Sequence, residues 1–133
     1  MTKVHVHDLV PGGGLAFDLC EVLQALETQL SGTFWEIDHA DEDLWVMGRA
    51  SGVQRLNALA ASGTRVTWAA LLAMAVEVHQ TVWGEFRAFH DPFSGEPYVI
   101  IRAIDSSYFE VESADLNVIA ALRNHFTNVH TAE

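Results

Sequence analysis

Residues Thr81–Ser113, TVWGEFRAFHDPFSGEPYVIIRAIDSSYFEVES, decide the fold. Three segments in this stretch, TVWGEFRAFH, YVIIRAI and YFEVES, alternate with period two, as strands with unlike faces do. DPFSGEP and DSS separate them and have the composition of turns. The stretch therefore reads as a three-stranded antiparallel meander. One face carries Val82, Gly84, Phe86, Ala88, Val99, Ile101, Ala103, Phe109 and Val111, and belongs on a core. The other carries Trp83, Glu85, Arg87, Phe89, Tyr98, Ile100, Arg102, Ile104, Tyr108, Glu110 and Glu112.

A slip of one residue would exchange the two faces, so register is constrained. Pairing Phe89 with Tyr98 sets Glu85 opposite Arg102, and pairing Ile104 with Tyr108 sets Arg102 opposite Glu110. Cross-strand ion pairs contribute roughly 0.2–1 kcal/mol each. Glu85, Arg102 and Glu110 read first as a ladder that fixes register and second as a ligand-binding set. The aromatic and aliphatic side chains of this outer face call for a cover, either the first helix or a second copy of the chain in a homodimer.

Upstream of the meander, Thr67 is a good N-cap for WAALLAMAVEVHQ, which is apolar almost all round and reads as a central helix on the meander's inner face. Val53–Ala61 reads as a short helix stopped by Gly63. Thr33–His39 and Leu44–Ala50 read as a hairpin around Ala40, Asp41, Glu42 and Asp43. Leu15–Leu30 has Leu15, Leu19, Val22, Leu23, Leu26 and Leu30 at helical spacing, with Gly32 as its stop. Pro11 and Gly12-Gly13-Gly14 read as a flexible link, lacking the lysine and hydroxyl of a phosphate-binding loop. Lys3–Leu9 reads as a short edge strand. Downstream, Leu116, Ile119, Leu122, Arg123 and Phe126 mark a last helix capped by Ser113 or Asp115. The expectation is one α+β domain over residues 1–133, with an antiparallel sheet (hairpin plus three-stranded meander), helices mainly on one face, and flexible segments at 1–14 and 128–133.

Half of the 133 residues are apolar, enough for a core. Eighteen acidic residues stand against seven basic ones, a net charge of −11, which disfavours nucleic acid and anionic membrane and permits a basic protein partner. The start of the chain has no apolar signal-like core, and the longest apolar run, Trp68–Val76, is too short to span a bilayer. Cys20 is the single cysteine, so no intrachain disulfide forms. These features fit the cytoplasm.

Sites of chemistry are sparse. His5 and His7 share a strand face at a spacing that zinc sites use, but no third ligand lies near them in sequence. They are weak candidates, and no metal or cofactor is expected. Glu21 beside Cys20 would raise the thiol pKa. Glu77 and His79 are two apart on the expected helix, and Asp105-Ser106-Ser107 suits a turn, so neither makes a catalytic pair. The chain has no nucleophile-elbow, zinc-protease or Walker motif.

The strongest candidate site is an acidic hairpin tip: Glu36, Asp38, Asp41, Glu42 and Asp43, flanked by Trp35 and Trp45. The functional expectation is a non-enzymatic protein-binding or regulatory module, of the inhibitor or immunity kind, with a basic partner. The rival expectation is a small-ligand-binding domain or enzyme with its pocket between sheet and central helix.

Overall fold

A computed structural model describes residues 1–38 and 44–132. The described chain runs β1 (Thr2–Val6), α1 (Leu19–Ala25), α2 (Glu27–Leu30), β2 (Phe34–Asp38), β3 (Trp45–Gly48), α3 (Ala50–Ser62), β4 (Val66–Thr67), α4 (Trp68–Ala75), β5 (Val78–Phe89), β6 (Val99–Ile104), β7 (Tyr108–Ser113), α5 (Leu116–His125) and β8 (Val129–Ala132). Every pairing is antiparallel, in one eight-stranded sheet of order β4-β2-β5-β6-β7-β1-β8, with β3 also beside β5. The fold is α+β. Among the described residues no helix is long and apolar enough to cross a membrane.

The meander forms in the expected register. Glu85 opposes Arg102, Arg102 opposes Glu110, and Ile104 opposes Tyr108. Asp105, Ser106 and Ser107 connect β6 to β7; the Ser107 N–H donates to the Ile104 carbonyl at 2.8 Å, and Asp105 and Ser106 at the centre of that turn both have positive φ (50° and 57°). The inner face, with Phe86, Ala88, Val99, Ile101, Ala103, Phe109 and Val111, joins one buried cluster with the helices.

The expected hairpin does not form. β2 and β3 arise where their alternation places them, but both pair with β5 and not with each other: Phe34–Asp38 oppose Phe89–Glu85, and Trp45–Gly48 oppose Trp83–Val78. Since β6 occupies the other side of Glu85 and Trp83, β2 and β3 follow one another along the same side of β5. The long β5 offers twelve residues of ladder, so each segment finds a partner there. Register shifts between Trp45 and Val46 and between Met47 and Gly48 keep β3 in phase with β5. Gly48 is required at this contact, because a Cβ there would lie 2.4 Å from the Glu77 carbonyl oxygen.

The central helix is shorter than its apolar run suggests. Thr67 does cap it, its hydroxyl accepting from Ala70 N–H, but helix gives way after Ala75 and β5 begins at Val78. Leu71 is fully buried, Leu72 half-buried, and Val76 exposed at 56%. α4 packs on α1, α3, β2 and β4, flanked by the two helices at one end of the sheet instead of centred on the meander.

The first helix starts four residues later than expected and breaks at Leu26. Asp18 causes the late start. It is the N-cap of α1, in a capping box with Glu21, and its buried carboxylate accepts the Thr81 N–H at 2.8 Å and the Thr81 hydroxyl at 2.6 Å. Before it, Leu9 bridges Leu15 around a turn in which Gly12 and Gly13 have φ of 104° and 97°, values that favour glycine.

β1 is an interior strand and not an edge strand, because β8 pairs along its far side. Asp8 prepares that pairing: its carboxylate accepts the Thr127 and Asn128 N–H groups. Gly63 stops α3 and Asp115 caps α5, both as the sequence indicates.

Candidate partner-binding edge

The outer face of the sheet is ordered in rows, each running across the strands. The first row is Trp45, Trp83, Ile104 and Tyr108, continued by His7, whose ring stacks on Tyr108 at 4.8 Å. The second is Asp38, Glu85, Arg102, Glu110, His5 and His130. The third is Glu36, Arg87, Ile100, Glu112 and Lys3. Residues named separately from the sequence, the ladder, the histidines and two of the tip acids, thus share one surface.

The second and third rows are largely satisfied within themselves. Arg102 donates through Nε to Glu85 at 2.6 Å, and through Nη1 to Glu110 at 2.7 Å and Glu112 at 3.1 Å. Arg87 pairs with Glu85 and Asp38, and Arg65 with Glu36 at 3.4 Å. His5 Nε2 lies 2.9 Å from Glu110. Burial raises the Glu110 pKa, but the His5 and Arg102 hydrogen bonds outweigh it and hold the carboxyl below its usual range. Burial alone would lower the Arg102 pKa; its glutamate partners reverse that and raise it. These groups spend their charge on each other, which fits the register reading of Glu85, Arg102 and Glu110.

Three aromatic members of the face, Phe89, Tyr98 and Tyr108, pack on side chains of the same chain. The Arg65 guanidinium lies 3.5 Å over the Phe89 ring, and its Nη1 also holds the Asp91 and Ser94 carbonyls of the β5–β6 loop. His90 packs on Tyr98 at 4.2 Å, and His5 and His7 on Tyr108. The first helix is not the cover, because its apolar residues belong to the inner cluster.

Two of the sequence-named residues separate. Trp35 is 0% exposed in the core, its indole N–H donating to the Thr33 hydroxyl at 2.8 Å, and so cannot touch a partner. The alternation of β2 requires this, because Glu36 and Asp38 are on the outer face and Trp35 and Ile37 on the inner one. Trp45, on β3, is 54% exposed, and Met47 beside it is 43% exposed. Asp41, Glu42 and Asp43 lie outside the described residues. In sequence they directly precede Leu44 and this strand.

His130 is the neighbour of His5 and His7 that sequence reading lacked, its ring 5.9 Å from that of His7. Even so, among the described residues no three His, Cys, Asp or Glu side chains are placed to hold a metal ion. Cys20 is buried, its pKa pushed up to about 11 by burial and then by Glu21, so the thiol stays protonated and inert. Glu77 and His79 have left the helix, with Glu77 accepting from the Ser51 hydroxyl and His79 exposed on β5.

A cleft of about 300 Å³ lies where Gly14, Asp18, His79, Gln80, Thr81 and Ser106 meet. Within it Asp18 bonds to Thr81, and Gln80 to Ser106 at 2.8 Å. The space between sheet and helices is filled by Leu71, Ala75, Phe86 and Ile101, all fully buried. Comparison with protein-family models, with curated proteins and with solved structures finds no match.

Proposed function

We propose that this chain is a non-enzymatic protein-binding module, regulatory in the manner of an inhibitor or immunity protein, and that a basic partner docks at the margin of the sheet where β3 begins. The observation that carries this reading is Trp45. It stands half in solvent on β3 beside exposed Met47, and Asp41, Glu42 and Asp43 precede it in sequence with Leu44 between. Elsewhere on the outer face the acids are committed to Arg65, Arg87 and Arg102, and Asp41, Glu42 and Asp43 add three more acids to the sequence between β2 and β3. An exposed aromatic that follows a run of acids in sequence supports a contact that is both apolar and electrostatically steered. The filled space between sheet and helices supports a binding protein over an enzyme with its pocket there.

The test is a pull-down from source lysate at low and high salt, followed by kinetics with the captured partner. Changing Asp41, Glu42 and Asp43 to Asn, Gln and Asn should slow association and flatten its salt dependence while leaving the melting temperature nearly unchanged. Trp45→Ala should raise the dissociation rate. An unchanged association rate in the triple variant would make the tip a solubility device only.

A further inference from the structure

The two long margins of the sheet are finished differently. At one margin lies β8. His7 N–H bonds to the Asn128 carbonyl, so alternation turns the Val129 and Thr131 backbone groups away from β1, toward the open side. Arg123 reaches over that side from α5, its Nη1 on the Val129 carbonyl at 3.2 Å and its Nη2 on the Thr131 hydroxyl at 2.8 Å. A charge laid along an edge strand is a known way to stop another strand from adding there.

On the opposite side of the sheet β4, beside β2, is only two residues long, another way to close an edge, and β3 follows β2 along the same side of β5. β3, Trp-Val-Met-Gly, contains no charge and no proline. It pairs with β5 on one side, and no described residue hydrogen-bonds to its other side. Its two outward side chains, Trp45 and Met47, are large, apolar and exposed. β3 is short and has two register shifts against β5, but unlike β8 it has no described charged side chain laid along it.

We infer that the side of β3 turned away from β5 is a docking edge that receives an extended, basic segment of a partner by strand addition, with Trp45 and Met47 gripping that segment's alternate side chains. Unpaired backbone donors and acceptors on a strand recognise another strand, and side chains two apart set which one. The occupant's charge follows from the chain: Asp41, Glu42 and Asp43 adjoin β3 in sequence and the net charge is −11, which repels a second copy and attracts lysine and arginine. The inference rests on the partner-binding reading above and adds its geometry.

The probe is a short acetylated and amidated peptide of alternating lysine and valine, with two controls: the same peptide N-methylated at alternate residues, and its glutamate–valine counterpart. Binding is read by calorimetry, and location by hydrogen exchange of the Trp45–Gly48 amides on the full chain. The expected result is binding of the lysine peptide with slowed exchange at Trp45–Gly48, roughly tenfold or greater loss on N-methylation from the missing backbone hydrogen bonds, and no binding of the glutamate peptide. Binding that ignores N-methylation, or leaves those amides unprotected, overturns strand addition while leaving a basic partner in place. Equal binding of the glutamate peptide overturns the charge of the occupant. Protection of Trp45–Gly48 without any peptide, together with a dimer in sedimentation, assigns the edge to a second copy and overturns the inference. No binding of the lysine peptide, while a basic partner from the lysate still binds in a Trp45-dependent way with those amides unprotected, overturns the strand mode alone.

Discussion

Single residues tie this fold together across long stretches of sequence, and Asp18 is the clearest case. It caps α1 and at the same time accepts two hydrogen bonds from Thr81, sixty-three residues away. Replacing it with alanine would leave the buried Thr81 N–H and hydroxyl without partners and remove the cap. We expect Asp18→Ala to cost about 1–3 kcal/mol for the unsatisfied groups, with Asp18→Asn costing less. Chemical denaturation of both variants measures it. His7 makes a pH-dependent contribution. Burial first, then the neighbouring His5 and His130, lower its pKa below 6.5. The unfolded chain then takes up a proton that the folded chain resists, so stability falls as pH drops through about 6.5 toward the lowered folded value. The melting temperature of His7→Gln should fall less steeply than that of the parent between about pH 7 and pH 5. Parallel slopes would assign the acid sensitivity to other groups.

Elements differ in how far their sequences reveal them. The meander was legible with its register because alternation, turn residues and opposite charges agree on a single pairing. α3, α5 and the caps at Thr67 and Asp115 were legible for the same reason: periodicity and cap chemistry are local. The β2–β3 hairpin was misread because alternation announces a strand but not its partner, and an acidic polar stretch between two strands looks like a turn. Helix α4 was extended too far because an apolar run without period reads equally as buried helix or buried strand. The dense β-branching of Val76, Val78, Thr81 and Val82 was the signal for the change. β8 is four residues long and pairs with β1 from the opposite end of the chain, which no local pattern can show. Among the candidate site residues, the ladder needed only register. Burial of Trp35 needed the phase of β2, which places it with Ile37. The corrected end of α4 changes what mutation should do. Leu71→Ala should cost roughly 2–5 kcal/mol, whereas Val76→Ala, at an exposed helix end, should stay within about 0.5 kcal/mol. Comparable losses at both positions would restore the longer buried helix.

For the molecule as a whole, what matters is where the few basic residues stand. Lys3, Arg65, Arg87 and Arg102, four of the seven, lie on or over the outer face of the sheet, and three of them are tied into its ion pairs. Eight further acids among the described residues lie elsewhere outside the core, against three arginines, Arg49, Arg55 and Arg123. Salt acts on these two populations unequally. Exposed like charges separated by a Debye length or more are screened readily, and partly buried pairs much less. The Arg102 cluster is partly buried, its side chain about one quarter exposed, so it should keep most of its contribution. The diffuse acidic surface should lose much of its self-repulsion. The melting temperature is therefore expected to rise by a few degrees between about 20 mM and about 500 mM sodium chloride at neutral pH. Arg102→Met isolates the other term: it leaves Glu85, Glu110 and Glu112 facing one another, so it should lower the melting temperature and steepen its rise with salt. A melting temperature that falls with salt in the parent would mean that the ladder, and not the acidic surface, dominates the electrostatics of this fold.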